Sequence, residues 1–285
     1  MSSSLATRHS PLFLMCRPTY YTIAYEINPW MSLKRQANQA RTMAQWQRLY
    51  DLLTRQLGVR IRLLPPRPGV PDLVFTANAG LVAGRTFIRS NFRYPQRQAE
   101  EPIGERYFRR AGFQVVNLNP RFDFEGEGDA LWMHRTLVFG FRYRSDAPVH
   151  EELARILKVR VLPVELTDKR FYHLDTCFCP LNERAALWFP GAFDRYGRKV
   201  IESVAENPIA VSEADATRFV CNAIVTGRSV VMQSGCSTAL RRHLTRRGFD
   251  LYPVDLSEFL KAGGSAKCLV LRLSRSTAER SPTST

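Results

Sequence analysis

The chain has 285 residues, 45% hydrophobic and 24% charged, enough apolar material to bury a sizeable core in one large domain or two small ones. Its formal net charge of +15, from 41 Lys and Arg against 26 Asp and Glu, would suit an acidic partner. The basic residues are spread out, as in "RYFRRAGF" and "LRRHLTRRGF", with no phosphate loop and no aromatic–basic RNA-binding signature. A solvated basic surface is therefore expected, and no nucleic-acid partner.

The N-terminal "MSSSLATRHSPLFLMC" has one Arg, a short apolar patch and no convincing cleavage site, so no signal peptide is expected. Its "PLFLMC" reads as a strand. No apolar run approaches the roughly 18 residues of a membrane span, and no membrane partner is expected. "LKRQANQARTMAQWQRLYDLLTRQLG" reads as an amphipathic helix with Leu33, Ala37, Ala40, Ala44, Leu52 and Leu53 on one face and Gly58 as its stop.

Next comes "DLVFTANAGLVAGRTFI", two apolar runs separated by the polar knot Thr76-Ala77-Asn78-Ala79-Gly80. An amide placed there needs partners, because burying it without hydrogen bonds costs a few kcal/mol. The same grammar of short strand, loop, polar knot and strand recurs in "FQVVNLNPRFDFEGEGDALWMHRTLVFG", "VRVLPVELTDKRFYHLDTCFCPLNERAALWFP", "IAVSEADATRFVCNAIVTGRSVVM" and "FDLYPVDLSEFLKAGGSAKCLVLRL". With Asn78, Asp129, Asp175, Asn222 and Cys268 as the knots, successive separations are 51, 46, 47 and 46 residues. Such a period belongs to stacked or radial repeats. The last repeat ends after one strand, so "PLFLMC" is expected to pair with "CLVLRL" and close a ring. A single α/β domain over residues 12–274 follows, with disordered tails at 1–11 and 275–285.

Six cysteines without C-x-x-C pairs do not make a disulfide framework. Cys177 and Cys179 lie near His173, but no second ligand pair completes a zinc pattern, so no metal is expected. A reduced, cytoplasmic protein is the expectation. In a radial array the knots converge near the axis. Cys268 follows the glycine-containing "KAGGSAK", and Lys267 is a cation placed to lower its thiol pKa. Strand alternation would put His173 and Asp175 on one side, suiting acid–base work. Glu125 and Asp129 lie in "FEGEGDAL", whose glycines permit close backbone approach.

At "FEGEGD", "HLD" and "GGSAKC" the sequence resembles the guanidino-group-modifying enzymes. These form the pentein superfamily of arginine deiminases, dimethylarginine dimethylaminohydrolases and amidinotransferases. The resemblance spans roughly residues 12 to 274. "EINPWM" and "VFTANAG" look most like the arginine dihydrolase branch, the N-terminal domain of a larger bifunctional cyanobacterial protein. The resemblance implies a five-bladed α/β propeller with pseudo-five-fold repeats. It implies Cys268 as nucleophile, His173 as acid–base, and Glu125, favoured over Glu127, as the acid that binds a guanidinium and orients His173.

It also implies a small guanidino substrate held by Asn78, Asn28, Asp129 and Asp175, with Arg97 and Arg144 for its carboxylate, and no cofactor. Deiminases and methylarginine hydrolases characteristically have Asp where Asn78 stands. A neutral amide could hold a guanidinium first and a ureido group afterwards, so hydrolysis of arginine to ornithine, carbon dioxide and ammonia is the expected reaction. Dimethylarginine hydrolysis, deimination and amidino transfer are the alternatives. A non-catalytic, ribosome-binding pentein is the non-enzyme alternative, and a homo-oligomer is left open.

Overall fold

The computed structural model describes residues 11–274; the two expected tails, apart from Pro11, lie outside them. Among the described residues, fifteen strands form five three-stranded sheets. β1 (Leu12–Cys16) and β2 (Arg60–Leu64) share the first. β3 (Gly80–Ala83), β4 (Thr86–Arg89) and β5 (Gln114–Val116) make the second, and β6 (Ala130–Met133), β7 (Thr136–Phe141) and β8 (Arg160–Glu165) the third. The fourth holds β9 (Phe178–Pro180), β10 (Ala185–Trp188) and β11 (Asn207–Ala210), and the fifth β12 (Ile224–Thr226), β13 (Ser229–Gln233) and β14 (Asp250–Val254). β15 (Leu271–Ser274) returns to the first sheet.

Every sheet repeats one plan. A central strand pairs antiparallel with the strand that follows a polar turn, and parallel with the strand beyond the crossover. A parallel neighbour requires such a crossover. Its helical part is supplied in turn by Gln39–Asp51, Glu101–Arg110, Val149–Leu157, Arg195–Val204 and Thr238–Arg246. Asn38, Asp194 and Ser237 cap three of these by accepting N–H groups of Arg41, Gly197 and Leu240. The expected five-bladed α/β propeller is the observed fold.

The expected closure is present. β15 runs antiparallel to β1, with Phe13 opposite Arg272 and Leu14 opposite Leu271. Alternation along β1 then serves two cores: Phe13 and Met15 pack with Trp46, Leu49 and Phe259, whereas Leu14 and Cys16 pack with Leu64, Phe87 and Leu271.

The first helix differs from its sequence reading. It begins at Gln39 and buries Thr42, Gln45, Trp46 and Leu49, while Leu33 is 53% exposed and Ala40 and Ala44 face solvent. Trp46 and Leu49 bury far more apolar area than the alanines, and so decide which face turns inward. Leu52 and Leu53 are buried as expected, and Gly58 adopts φ +63° at the stop.

Because Leu14 is fully buried on the central strand β1, between β15 and β2, Leu14→Ala should lower unfolding stability by about 2–5 kcal/mol in urea titration. A loss below about 1 kcal/mol would contradict its place at the centre of a packed sheet.

Candidate active site

Four knots are single 3₁₀ turns: Thr76–Ala79, Gly126–Gly128, Leu174–Thr176 and Lys267–Leu269. At the fifth, the Asn222 N–H closes a turn on the Phe219 carbonyl. His173 and Asp175 therefore do not share a strand face. His173 is the extended residue before its turn and Asp175 lies within it. Both still reach the axis, because the turn redirects the chain between them.

Glu125 is fully buried, and His173 Nε2 lies 2.9 Å from its Oε2. Arg144 Nη1 donates to both carboxylate oxygens, at 3.0 and 3.3 Å. Burial alone would raise the Glu125 pKa, but Arg144 and His173 hold it down to about 2. Burial pushes the His173 pKa down to about 4 against the pull of Glu125, with Arg144 and Arg97 adding repulsion. Near neutral pH the pair is a carboxylate and a neutral imidazole. With Nε2–H directed at Glu125, Nδ1 is left for proton transfer.

Asp129 is oriented away from this exchange. Its Oδ2 accepts the Ser145 hydroxyl at 2.7 Å and its Oδ1 the Leu174 N–H at 3.1 Å, while Ser145 Oγ accepts the Glu125 N–H. Both oxygens are committed to protein groups, so the expected contact with substrate gives way to a bracket joining the Glu125 and His173 turns. Glu127 also turns away, toward Lys267 Nζ at 2.8 Å and the Arg272 N–H at 3.2 Å. Of the three acids, Glu125 is the one on the imidazole. The expected role of Lys267 changes with this, since its ammonium is paired with Glu127. Gly128 has to be glycine: a Cβ there would stand 2.4 Å from Asn78 Nδ2 and 3.2 Å from the His173 ring.

Cys268 Sγ lies 3.2 Å from Asp175 Oδ2 and 3.1 Å from Asn222 Nδ2. Burial, and then the Asp175 carboxylate, push the thiol pKa well up. Burial likewise raises Asp175 to about 6, against the favourable field of Lys267. The resting nucleophile is a thiol whose proton is held by a neighbouring carboxylate.

The cleft in front of this sulfur is lined by Asp72, Asn78, Arg97, Arg144 and Tyr172. Asn78, expected to await a substrate, already has protein partners. Its Oδ1 accepts from Arg97 Nη1 at 3.0 Å, its Nδ2 faces the Glu125 carbonyl at 3.4 Å, and its carbonyl accepts the Ser90 hydroxyl. Arg97 grips Glu100 with Nε and Nη2, both at 2.8 Å. Arg144 lies between the Tyr94 and Tyr172 rings, 4.7 and 4.6 Å from their centroids.

Asn28 also lines the cleft, but its amide ties the strap over it. Nδ2 donates to Ala262 O, and Oδ1 accepts the N–H groups of Trp30 and Met31. Opposite it, Gly263 at φ +77° would put a Cβ 2.9 Å from the Tyr172 hydroxyl.

Sequence reasoning missed Asp72 and gave Asn222 no chemistry. Asp72 had no sequence signal beyond standing six residues before Asn78; Asn222 had the repeat period. Among the described residues, Asp175 Oδ1 is a buried carboxylate oxygen without a hydrogen-bond partner. No group of three or more His, Cys, Asp or Glu among them is arranged to hold a metal ion.

The model of the eukaryotic N,N-dimethylarginine dimethylhydrolase family matches residues 23–275. The bifunctional arginine dihydrolase/ornithine cyclodeaminase AgrE of Nostoc sp. is 46% identical over 266 residues, 92% of this chain but 37% of that protein. The chain thus spans little more than a third of the bifunctional relative. The N(G),N(G)-dimethylarginine dimethylaminohydrolase of Mycobacterium tuberculosis is 34% identical over 95% of this chain and 89% of its own length. A crystal structure of the N-terminal domain of ArgZ, a mutant bound to substrate and described as a cyanobacterial arginine dihydrolase, superposes with a TM-score of 0.89. Its identity is 41%, covering 93% of this chain and 99% of that one.

Removing the Asp175 charge should unmask the thiolate. In Asp175→Asn, the pH midpoint for alkylation of Cys268 by iodoacetamide is expected to fall by about one unit, because a carboxylate that raises the thiol pKa is gone. An unchanged or higher midpoint would contradict the coupling.

Proposed function

The chain belongs to the N,N-dimethylarginine dimethylhydrolase family of the pentein superfamily, and from that premise we propose that it hydrolyses free arginine through a covalent intermediate on Cys268, to ornithine, carbon dioxide and two ammonia molecules. The observation that carries the reading is the neutral Asn78 amide in the cleft of Cys268, beside the Glu125 carboxylate and its neutral His173 partner. Relatives described as arginine dihydrolases support it.

The cleft suits the two ends of an amino acid. Arg97 and Arg144 are cations for its carboxylate and Asp72 an anion for its amino group. For the guanidinium N–H groups, Asp175 Oδ1 beside the sulfur is a buried acceptor without a hydrogen-bond partner among the described residues. An arriving guanidinium supplies the positive charge that the thiol lacks, and so favours its ionisation.

The Cys268 proton passes to the neutral His173, and the thiolate attacks the guanidinium carbon. The imidazolium returns that proton to the departing ammonia. Water, deprotonated by His173, then opens the thiouronium and leaves citrulline. With a carboxylate at position 78 the ureido oxygen would be repelled; the Asn78 amide can donate to it instead, so the thiolate attacks the ureido carbon, a second ammonia leaves, and water releases the carbamate of ornithine, which loses carbon dioxide. The Glu125–His173 pair beside Asn78, which shares the cleft of Cys268, disfavours a purely ribosome-binding role. A reduced, cytoplasmic setting is proposed with the reaction, on the free state of all six cysteines.

Dimethylarginine hydrolysis is the second reading, favoured by the family model. Dimethylamine and citrulline released from dimethylarginine at least as fast as ornithine from arginine would support it.

The deciding experiment follows citrulline and ornithine in one time course for wild type and Asn78→Asp, with Cys268→Ser as the inactive control. Wild type is expected to yield ornithine with two ammonia. The variant should accumulate citrulline, with ornithine falling about tenfold or more, as the loss of a hydrogen bond to a charged or reacting group implies. Ornithine at the wild-type ratio in the variant would remove Asn78 from control of the second hydrolysis.

A further inference from the structure

Asn222 occupies the fourth knot and is fully buried, yet the reaction above gives it no part. Its Oδ1 accepts two backbone N–H groups of the nucleophile loop, from Ser265 at 3.1 Å and Cys268 at 3.2 Å. Its carbonyl accepts the Lys267 N–H. Those two donors fix which way the amide lies, because the flipped amide would set N–H against N–H. Nδ2 is thereby forced to the other side, where it donates to the Asp175 carbonyl at 3.1 Å and to Cys268 Sγ at 3.1 Å.

The sulfur therefore sits between unlike neighbours. Asp175 Oδ2 can accept the S–H hydrogen, and Asn222 Nδ2 can only give one. The other titratable groups around it are the buried Tyr172 phenol, the Glu125–His173 pair, and Lys267, which is committed to Glu127. None of these is a hydrogen-bond donor to the sulfur among the described residues.

Resting on the reading of Cys268 as nucleophile, we propose that Asn222 is a further catalytic residue, the side-chain donor that, with the Ser265 backbone N–H, fixes the attacking sulfur and stabilises its thiolate once the proton has left. Hydrogen bonds to the charged form favour that form. The amide also couples the two actions, since one side chain holds both the loop and the sulfur.

The test needs no substrate. Alkylation by iodoacetamide is followed against pH, with labelled Cys268 separated by peptide mapping from the half-buried Cys236. Asn222→Ala should move the Cys268 midpoint up by about one pH unit, with alkylation near pH 8 about tenfold slower and the rate at high pH retained. Asn222→Asp keeps an oxygen for the Ser265 and Cys268 N–H groups but has no N–H for the sulfur. It should keep a cooperative thermal transition and show the raised midpoint, and it carries the test if Asn222→Ala does not fold. A wild-type midpoint in the folded alanine variant, or in the aspartate variant where alanine fails, overturns the proposal. So does a rate lowered equally at every pH, which is what a purely structural amide would give. Wild type unlabelled at Cys268 overturns the nucleophile reading, and the proposal with it, whereas labelling that is normal in wild type and unmoved in the variants overturns the Asn222 role alone.

Discussion

The pairing of β15 with β1 is the contact on which the rest of the site depends. Cys268 lies in the turn just before β15, at the far end of the sequence from Asn78. When the last strand docks on the first, that turn comes to rest against the Thr76–Ala79 turn. Thr76 Oγ1 reaches the Leu14 and Leu269 carbonyls across the seam, at 2.9 and 3.0 Å. Hydrogen bonds of this sort are worth about 1 kcal/mol each, so closure rests mainly on the two cores that β1 fills with alternate side chains.

What closure assembles is a set of charges at the axis, nearly all buried. Isolated, such groups would neutralise or destabilise the fold, because an uncompensated buried charge costs about 3–5 kcal/mol. Here Glu125 remains ionised because Arg144 and the His173 N–H surround it. Asp129 is bound by a hydroxyl and a backbone N–H. In the other pair burial raises Asp175 to about 6 and the Cys268 thiol well up, so the thiol keeps its proton beside a carboxylate. The difference between these pairs assigns the chemistry: a base that is neutral at rest, and a thiol that needs the substrate's charge to ionise.

The period of the polar knots was legible in the sequence, and with it the five blades and the seam between "PLFLMC" and "CLVLRL". That is because the knots and strands are local, and a radial repeat converts a constant spacing into proximity. Direction was less legible. Asp129 and Glu127 stand within four residues of Glu125 and yet face a hydroxyl and a lysine. Which way each turns is set by Ser145 and Lys267, which come from other parts of the chain. Asn28, Arg97 and Arg144 were named from resemblance, and the structure places all three in one cleft with Cys268. Asp72 had neither a period nor a motif, and the contact that reveals it is with Arg97, 25 residues away.

Covalent attack by Cys268 on free arginine is tested most directly by quenching wild-type protein with acid within the first turnovers and mapping its peptides by mass. The expected result is a single modified peptide, carrying arginine less one ammonia on Cys268, that disappears as the substrate is consumed. Full turnover with no such adduct, or the adduct on another cysteine, would contradict it.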